Sequence, residues 1–448
     1  MTPTHTQDLR LELRNLLAQG QDSAVLDLLD GLHSADVAEI AGELEIAEVL
    51  AMLQLLPAER WTDILVYFED DVKSEILENF TGKEIAEVVL ENIDSDDAAD
   101  LMADLSDEKK REVLQNIGDI EYAKDLADLL THAEGTAGAL MATEMVKVNE
   151  NWSVSRCVRE MRRQAEEVEV VHAVYVIDDH DILLGSLSLK KLLTTGAKTP
   201  ITGVYDRSVR AVTSTTDEVE VARIMNKYDL FVVPVVDDMG RLLGRIMIDD
   251  IVDVMQEEAD SNYQLMSGLS DDVDQNDGLF AMTRARLPWL LVGLVGGILT
   301  STVVGRNEGE LSLIPQLAFF MPLIGAMGGN VGVQSSAIVV QGLANSSLPG
   351  TLLQRLSREL GVGLLNGMLC ATAILAYSWA AGHGLMFAVA VGSSLLSVII
   401  FASLFGTAVP WALNHYGIDP ALATGPFITT TNDILGLSIY FAIANALL

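Results

Sequence analysis

DPALATGPFITTTNDILGLSIYF, residues 419–441, places a single carboxylate, Asp433, inside an apolar run that continues to Leu448. A charge at the centre of a lipid-spanning helix costs about 2.5–3.5 kcal/mol on insertion scales, so such a residue is usually kept for an ion path. The structural alternative is a carboxylate paired with a buried donor, but no Lys or Arg occurs between 420 and 448 to neutralise it.

Thr429, Thr430, Thr431 and Asn432 immediately precede Asp433, with Thr429 one turn earlier on the same face. Oxygen ligands without His or Cys indicate a hard cation. Mg²⁺ keeps several waters around one or two carboxylates, which suits one Asp per chain, above all if a two-fold axis brings a second Asp433 opposite.

Working outward, five apolar stretches lie at about 287–304, 313–342, 360–381, 385–413 and 424–447. Each reaches or approaches the roughly 20 residues needed to cross a bilayer. Arg284 and Arg286 flank the first, and Arg355 and Arg358 lie between the second and third. Basic flanks mark the cytoplasmic side, so an odd number of spans puts the C-terminus outside. The loop with Arg306, Glu308 and Glu310 is then external, and the loop with Asp419 cytoplasmic. The second stretch, MPLIGAMGGNVGVQSSAIVVQGLA (321–344), carries Pro322 and Gly325, Gly328, Gly329 and Gly332. Such residues indicate unwound backbone lining a cavity or helices in close approach. Asn330 and Gln334 are one turn apart and face one side, as pore groups or as interhelical hydrogen-bonding amides.

From Arg284 onward there are five basic and five acidic residues, leaving 23 and 59 before it, so the whole net charge of −36 lies in the first 283 residues. That surface excludes nucleic acid as a partner and attracts cations, while also serving plain solubility. Cys157 and Cys370 are too far apart and too few for a disulfide framework or a Cys metal site. The first twenty residues lack the apolar core of a signal peptide, so the acidic part is expected in the cytoplasm.

Residues 1–135 read as successive short amphipathic helices, with apolar residues at helical spacing in Val37, Ile40 and Leu44. Start signals recur at Ser34, Thr81 with Glu84, Ser95 and Ser106. Helix pairs of this kind predict an all-α superhelical domain. Asp96 and Asp100 share a helix face, either as a solvated acidic surface or as a pair that a cation neutralises.

A tandem repeat follows. AVYVIDDHDILLGSLSLKKLL (173–193) aligns without a gap to VVPVVDDMGRLLGRIMIDDIV (232–252), 59 residues on. Each copy has a strand, an Asp-Asp turn, a Leu-Leu-Gly strand and a helix start, with a helix before it around 154–164 and 219–229. The unit resembles a pair of CBS domains, modules that pair through their sheets and often bind adenine nucleotides. Asp249 and Asp250 replace Lys190 and Lys191, and Asp253, Glu257, Glu258 and Asp260 continue the acids. Asp250 and Asp253 share a face, for metal sensing or for solvation. Residues 261–283 read as a helix followed by a turn.

In this order the parts resemble the MgtE family of magnesium transporters. The local motifs are P-L-I-G-A-M-G-G-N-V-G-V-Q from 322, R-E-L-G from 358 and D-P-A-L-A-T-G-P-F-I-T-T-T-N-D from 419. The resemblance covers the whole chain. It implies a multi-domain membrane protein: a helical N-terminal domain (1–135), tandem CBS domains (136–257), a connecting plug helix (258–283) and a five-helix transmembrane domain (284–448). It implies a homodimeric, Mg²⁺-selective channel of the cell membrane, with the soluble domains cytoplasmic. Asp433 matches the pore carboxylate, with Thr429 and Asn330 near it. Cytoplasmic Mg²⁺ would hold the gate shut at acids matching Asp96, Asp100, Asp229, Asp250 and Asp253, with Glu258 and Asp419 nearer the membrane. ATP is the implied nucleotide of the CBS pair. Two places depart from the family pattern: the plug helix reads E-E-A-D-S-N, and Val219 stands where an acid is common, between Glu218 and Glu220. The competing functions are a CBS-regulated transporter of Co²⁺, Mn²⁺ or Ca²⁺ and a membrane-anchored Mg²⁺ or nucleotide sensor without transport. No nucleophile–base pair, P-loop or metal-hydrolase motif occurs, so an enzyme is not expected.

Overall fold

A computed structural model describes residues 3–90, 93–103, 105–166, 168, 170–270, 273, 278–344, 351–423 and 425–448. The chain divides into two units, Met1–Gln256 and Glu257–Leu448.

The first unit opens with α1 (Pro3–Ala18), α2 (Asp22–Leu29), α3 (Ser34–Ala41), α4 (Ile46–Leu53), α5 (Ala58–Val66) and α6 (Asp70–Glu78). Next come α7 (Gly82–Glu84), which runs on as a π-helical turn to Val89, α8 (Ser95–Ala103), α9 (Asp107–Asn116) and α10 (Ile120–Leu129). Two of the four expected start signals cap their helices, while Ser95 is already helical and its hydroxyl turns to Thr143 and Glu144. Thr81 and Glu84 form a reciprocal capping box, and Ser106 accepts from the Lys109 N–H. At the first signal the cap is His33, with Ser34 already helical. Val37, Ile40 and Leu44 are buried, as their spacing requires.

The repeat builds two three-stranded sheets. β1 (Val146–Asn149), β2 (Val174–Ile177) and β3 (Leu183–Leu187) form the first, with α11 (Val154–Gln164) before β2 and α12 (Leu189–Thr194) after β3. β4 (Val212–Thr213), β5 (Val232–Val236) and β6 (Leu242–Met247) form the second, with α13 (Glu218–Tyr228) before β5. The parallel edge strands β1 and β4 escaped the sequence reading, because four and two residues are too short for a periodicity to register.

The two copies meet with the symmetry that the 59-residue offset demands. The Leu183 N–H donates to the Gly240 carbonyl, and the Leu242 N–H donates to the Asp181 carbonyl, both at 2.9 Å. Asp178 and Asp237 each accept from two backbone N–H groups of their turns, which holds both carboxyls below the usual range. These turn acids are therefore structural.

Helix α14 (Ile248–Ser267) is continuous from the end of β6. Its start is part of the first unit, and from Glu257 it belongs to the second. The rest of the second unit is α15 (Leu279–Arg306), α16 (Glu308–Leu313), α17 (Leu317–Ala344), α18 (Leu352–Ala380), α19 (Leu385–His415) and α20 (Pro426–Leu447). Five of these are long and apolar enough to cross a membrane. The second is an unbroken helix through Pro322 and its glycines, so of the two options its sequence left, close packing is the one realised. Phe320, Ile324, Val391, Val398, Ile399, Leu437 and Tyr440 form the core of α17, α19 and α20, and the Tyr440 hydroxyl donates to the Leu317 carbonyl at 2.9 Å. Much of α15 and α18 is exposed Leu, Val and Ile, a surface suited to lipid.

Candidate functional site

In the first unit, acids gather where the start of α8 meets the start of α14. Ser95 is fully buried: its backbone N–H and its hydroxyl both donate to Glu144 Oε2, at 3.2 and 2.8 Å. That anchorage fixes Asp94, Asp96, Asp97 and Asp100 around the first turns of α8. From α14, Asp250 Oδ2 accepts from the Met247 N–H at 2.9 Å, capping its own helix. Asp96 and Asp250 then lie close enough to perturb each other. Burial pushes the Asp96 carboxyl well up, and Asp250, Asp97 and Asp94 push it further. Burial likewise raises Asp250 to about 7, with Asp249, Asp97 and Asp100 adding to it against the Met247 N–H.

Arg245, 3% exposed, stands 3.7 Å from Asp94 and donates to the Val170 carbonyl. The buried Tyr122 hydroxyl has no hydrogen-bond partner among the described residues; burial raises its pKa, and Glu144, Asp94, Asp96 and Asp97 raise it further. Among the described residues, no three His, Cys, Asp or Glu side chains are placed to hold a metal ion together. The arrangement is a pool of negative charge with oxygen donors. That chemistry fits a hard dication held partly through water.

In the second unit, Asp433 sits on the face of α20 that packs on α17. A Cβ added at Gly325 would lie 3.2 Å from Asp433 Oδ1, and one at Gly329 would lie 3.2 Å from Thr429 Cγ2. A Cβ at Gly332 would fall 1.9 Å from Asn432 Nδ2. The glycines of α17 are thus seats for successive polar side chains of α20. The Thr429 hydroxyl donates to the Gly425 carbonyl at 2.9 Å. Asn330 and Gln334 lie on one exposed stripe of α17. Asn432 escaped the sequence reading: it is 1% exposed, and neither of its amide atoms has a partner among the described residues. Its place beside Asp433 in a polar run was the available signal.

The end of α14 reaches the same helix. A Cβ at Gly425, which has φ +55°, would lie 2.5 Å from the Met266 carbonyl oxygen, and one at Gly268 would lie 2.8 Å from Pro426. Only glycine allows these approaches, which seat the end of α14 on the start of α20.

Not every predicted residue joins these sites. Asp253 is exposed on α14, with Lys73 near enough to act on it. Asp229 is the left-handed C-cap of α13 at φ +51°. Glu220 pairs with Arg223 on its own helix. Glu218 lies near Gly135, and its N–H donates to the Gly135 carbonyl. Glu258 accepts from Asn262 at 2.9 Å, and the exposed Asp419 accepts from the Ala421 N–H at 2.8 Å. Glu220 instead borders a cavity of about 690 Å³ with Arg210, Arg223, Lys227 and Tyr228, where the Arg210 guanidinium lies 3.7 Å over the Tyr228 ring.

Comparison with known proteins gives three family matches along the chain: the MgtE intracellular N domain at 32–135, CBS domains at 137–197 and 201–257, and the MgtE divalent cation transporter domain at 321–443. The chain is 32% identical to "Magnesium transporter MgtE" of Thermus thermophilus over 99% of each chain. It is 31% identical to the protein of the same name from Bacillus subtilis, over 98% of this chain and 97% of the relative. Among solved structures, the cytosolic domain of the Mg²⁺ channel MgtE in complex with ATP matches 55% of this chain and 99% of its own, at 30% identity and a TM-score of 0.51.

Proposed function

The chain belongs to the MgtE family of divalent cation transporters, and from that premise we propose that it carries Mg²⁺ across a membrane, with Asp433 on the ion path. The observation that carries this reading is the seating of Asp433 and Thr429 over Gly325 and Gly329 in a five-helix apolar unit. A carboxylate there can replace part of a cation's water shell, with Thr429 and Asn330 as the candidates to hold remaining waters. Two copies of the chain, facing each other through α17 and α20, would set two Asp433 carboxylates against one ion.

Regulation follows from the acid pool. Asp96, Asp100 and Asp250 would hold a cytoplasmic divalent cation, which supplies positive charge where the chain supplies little. Like charges about 4 Å apart repel by ~4 kcal/mol at an effective dielectric near 20, so losing the cation drives α8 and the start of α14 apart. Helix α14, 20 residues and about 30 Å long, has Asp250 near one end and its seat on α20 at the other. In this reading α14 is the link between Asp250 and the helix that bears Asp433. A ligand moves such an equilibrium only through its different affinities for the two states, and bridging in the closed state alone supplies that difference. Glu258 and Asp419 extend the acids toward the membrane, while Asp253, Asp229, Glu218 and Glu220 are secondary candidates. ATP would place its phosphates at Arg210, Arg223 and Lys227 beside Tyr228. In this reading the soluble domains are cytoplasmic and the C-terminus is outside.

Flux into liposomes tests the pore. Asp433→Ala is expected to cut Mg²⁺ flux by roughly 10–100-fold, the worth of a charge-assisted contact, with expression and assembly unchanged. Wild-type flux through the variant would end the assignment. Comparing Mg²⁺, Ca²⁺, Mn²⁺ and Co²⁺ in the same vesicles separates magnesium transport from its divalent alternatives.

A further inference from the structure

Away from Asp433, helices α17, α18 and α19 enclose a cleft of about 580 Å³. Arg355 and Arg358 line it from the first turns of α18, and Ile338 and Val362 give it an apolar wall. Glu359 also lines it, with the Ser335 hydroxyl donating to its Oε1 at 2.6 Å. Among the described lining residues, two guanidiniums and one carboxylate sum to one positive charge. Thr407 of α19 borders the same space, and its hydroxyl is buried without a partner among the described residues, in a residue only 3% exposed.

The position of the cleft is as informative as its lining. Helix α18 has 29 residues, about 44 Å at 1.5 Å each, against a hydrocarbon core of roughly 30 Å. Its apolar part begins at Leu360, so Arg355 and Arg358 fall at headgroup level while Val362 lies in the acyl region. Ile338 and Val362 are 66% and 45% exposed, so the apolar wall is open at the surface of the single chain.

We propose that this cleft binds the phosphodiester headgroup of an anionic phospholipid between Arg355 and Arg358, with an acyl chain along Ile338 and Val362. A phosphodiester carries one negative charge and neutralises the site, and its oxygens can accept from the guanidiniums and from the Thr407 hydroxyl. Basic pockets between spans are a known way for membrane proteins to select acidic lipids. The proposal needs only that the five helices span a bilayer, and it does not depend on which ion Asp433 conducts.

The test uses the full chain, delipidated in mild detergent and offered phosphatidylglycerol, phosphatidylcholine or inorganic phosphate, with bound lipid read by native mass spectrometry. Phosphatidylglycerol should be retained in preference to phosphatidylcholine, and inorganic phosphate should not displace it. Each arginine near an acidic headgroup is worth about fivefold, so Arg355→Gln with Arg358→Gln should weaken phosphatidylglycerol binding roughly twentyfold. Replacing both with Lys should keep most of it. Val362→Trp fills the cleft without touching its charge and should also reduce retention, which decides the matter if the double variant fails to fold. Equal retention of both lipids, retention unchanged in the charge and cleft-filling variants, or displacement by phosphate would each overturn the proposal.

Discussion

The two copies of the repeat share a fold and differ in charge at one corner. In the first, the Ser188 hydroxyl caps its helix by accepting from the Lys191 N–H, and α12 ends after 6 residues. In the second, Met247 stands where Ser188 does and has no such hydroxyl. There the third residue reaches back: Asp250 accepts from the Met247 N–H, and α14 continues for 20 residues. Each copy makes half of a capping box, from opposite partners. The half that uses a carboxylate also delivers a negative charge to α8, where Asp94, Asp96, Asp97 and Asp100 already sit. Lys191 meets nothing comparable, since its ammonium donates to the Val204 carbonyl at 3.1 Å. One fold position thus serves as a plain helix start in one copy and, in the other, brings a carboxylate to the acids of α8.

Exchanging the charges should break that difference. Asp250→Lys puts a fixed cation into the acid pool and should hold the soluble domains protease-resistant in EDTA, with Mg²⁺ flux low at any internal Mg²⁺. Asp250→Asn keeps an oxygen for the Met247 N–H but loses the charge. It should raise the Mg²⁺ concentration needed for protection about tenfold or more, taking a charge-assisted contact at 1.5–3 kcal/mol. Protection curves that match wild type in both variants would remove Asp250 from the sensor.

A pH series probes the same pool without mutation. Asp96 and Asp250 have folded-state values above the ordinary carboxylate range, Asp250 at about 7. Asp250's contribution to stability is therefore complete below about pH 4, where folded and unfolded states are both protonated, and is lost as pH rises through about 7; Asp96, also raised, acts in the same direction. In EDTA, hydrogen exchange across 95–103 and 248–254 should speed up over that window beyond its intrinsic base catalysis, and millimolar Mg²⁺ should flatten the excess. An excess of equal size with and without Mg²⁺ would separate the titration from cation binding.

The smallest effect is expected at the first copy. Lys191→Asp sacrifices one exposed contact, worth less than about 1 kcal/mol, and meets the exposed carboxylate of Asp206 rather than the cluster of acids at α8. Protease protection should keep its wild-type Mg²⁺ dependence, and a shifted midpoint would show that the two corners are less distinct than their surroundings make them.

Much of this was legible before any coordinates. The repeat, the five spans, the capping signals and the isolation of Asp433 are written in spacing and composition, which are local quantities. The grouping of the acids was not. Asp96, Asp100 and Asp250 were legible as candidates, but so were Asp229 and Glu220, which the fold uses as a helix C-cap and as an ion-pair partner. Acidic residues look alike in sequence, and only their neighbours decide their roles. Likewise the glycines of the second span announced close approach without saying to what, and only the fold sets the amide of Asn432 against Gly332.

By itself the sequence determined the order of parts, the concentration of charge before Arg284 and the one carboxylate in the last span, because hydropathy and periodicity depend on residues near one another in the chain. Tertiary structure alone decided that Asp250 meets the start of α8, that Met266 rests on Gly425, and that Asp433 faces Gly325. Those contacts join residues more than a hundred positions apart, and steric fit between folded elements, which no local pattern encodes, is what brings them together.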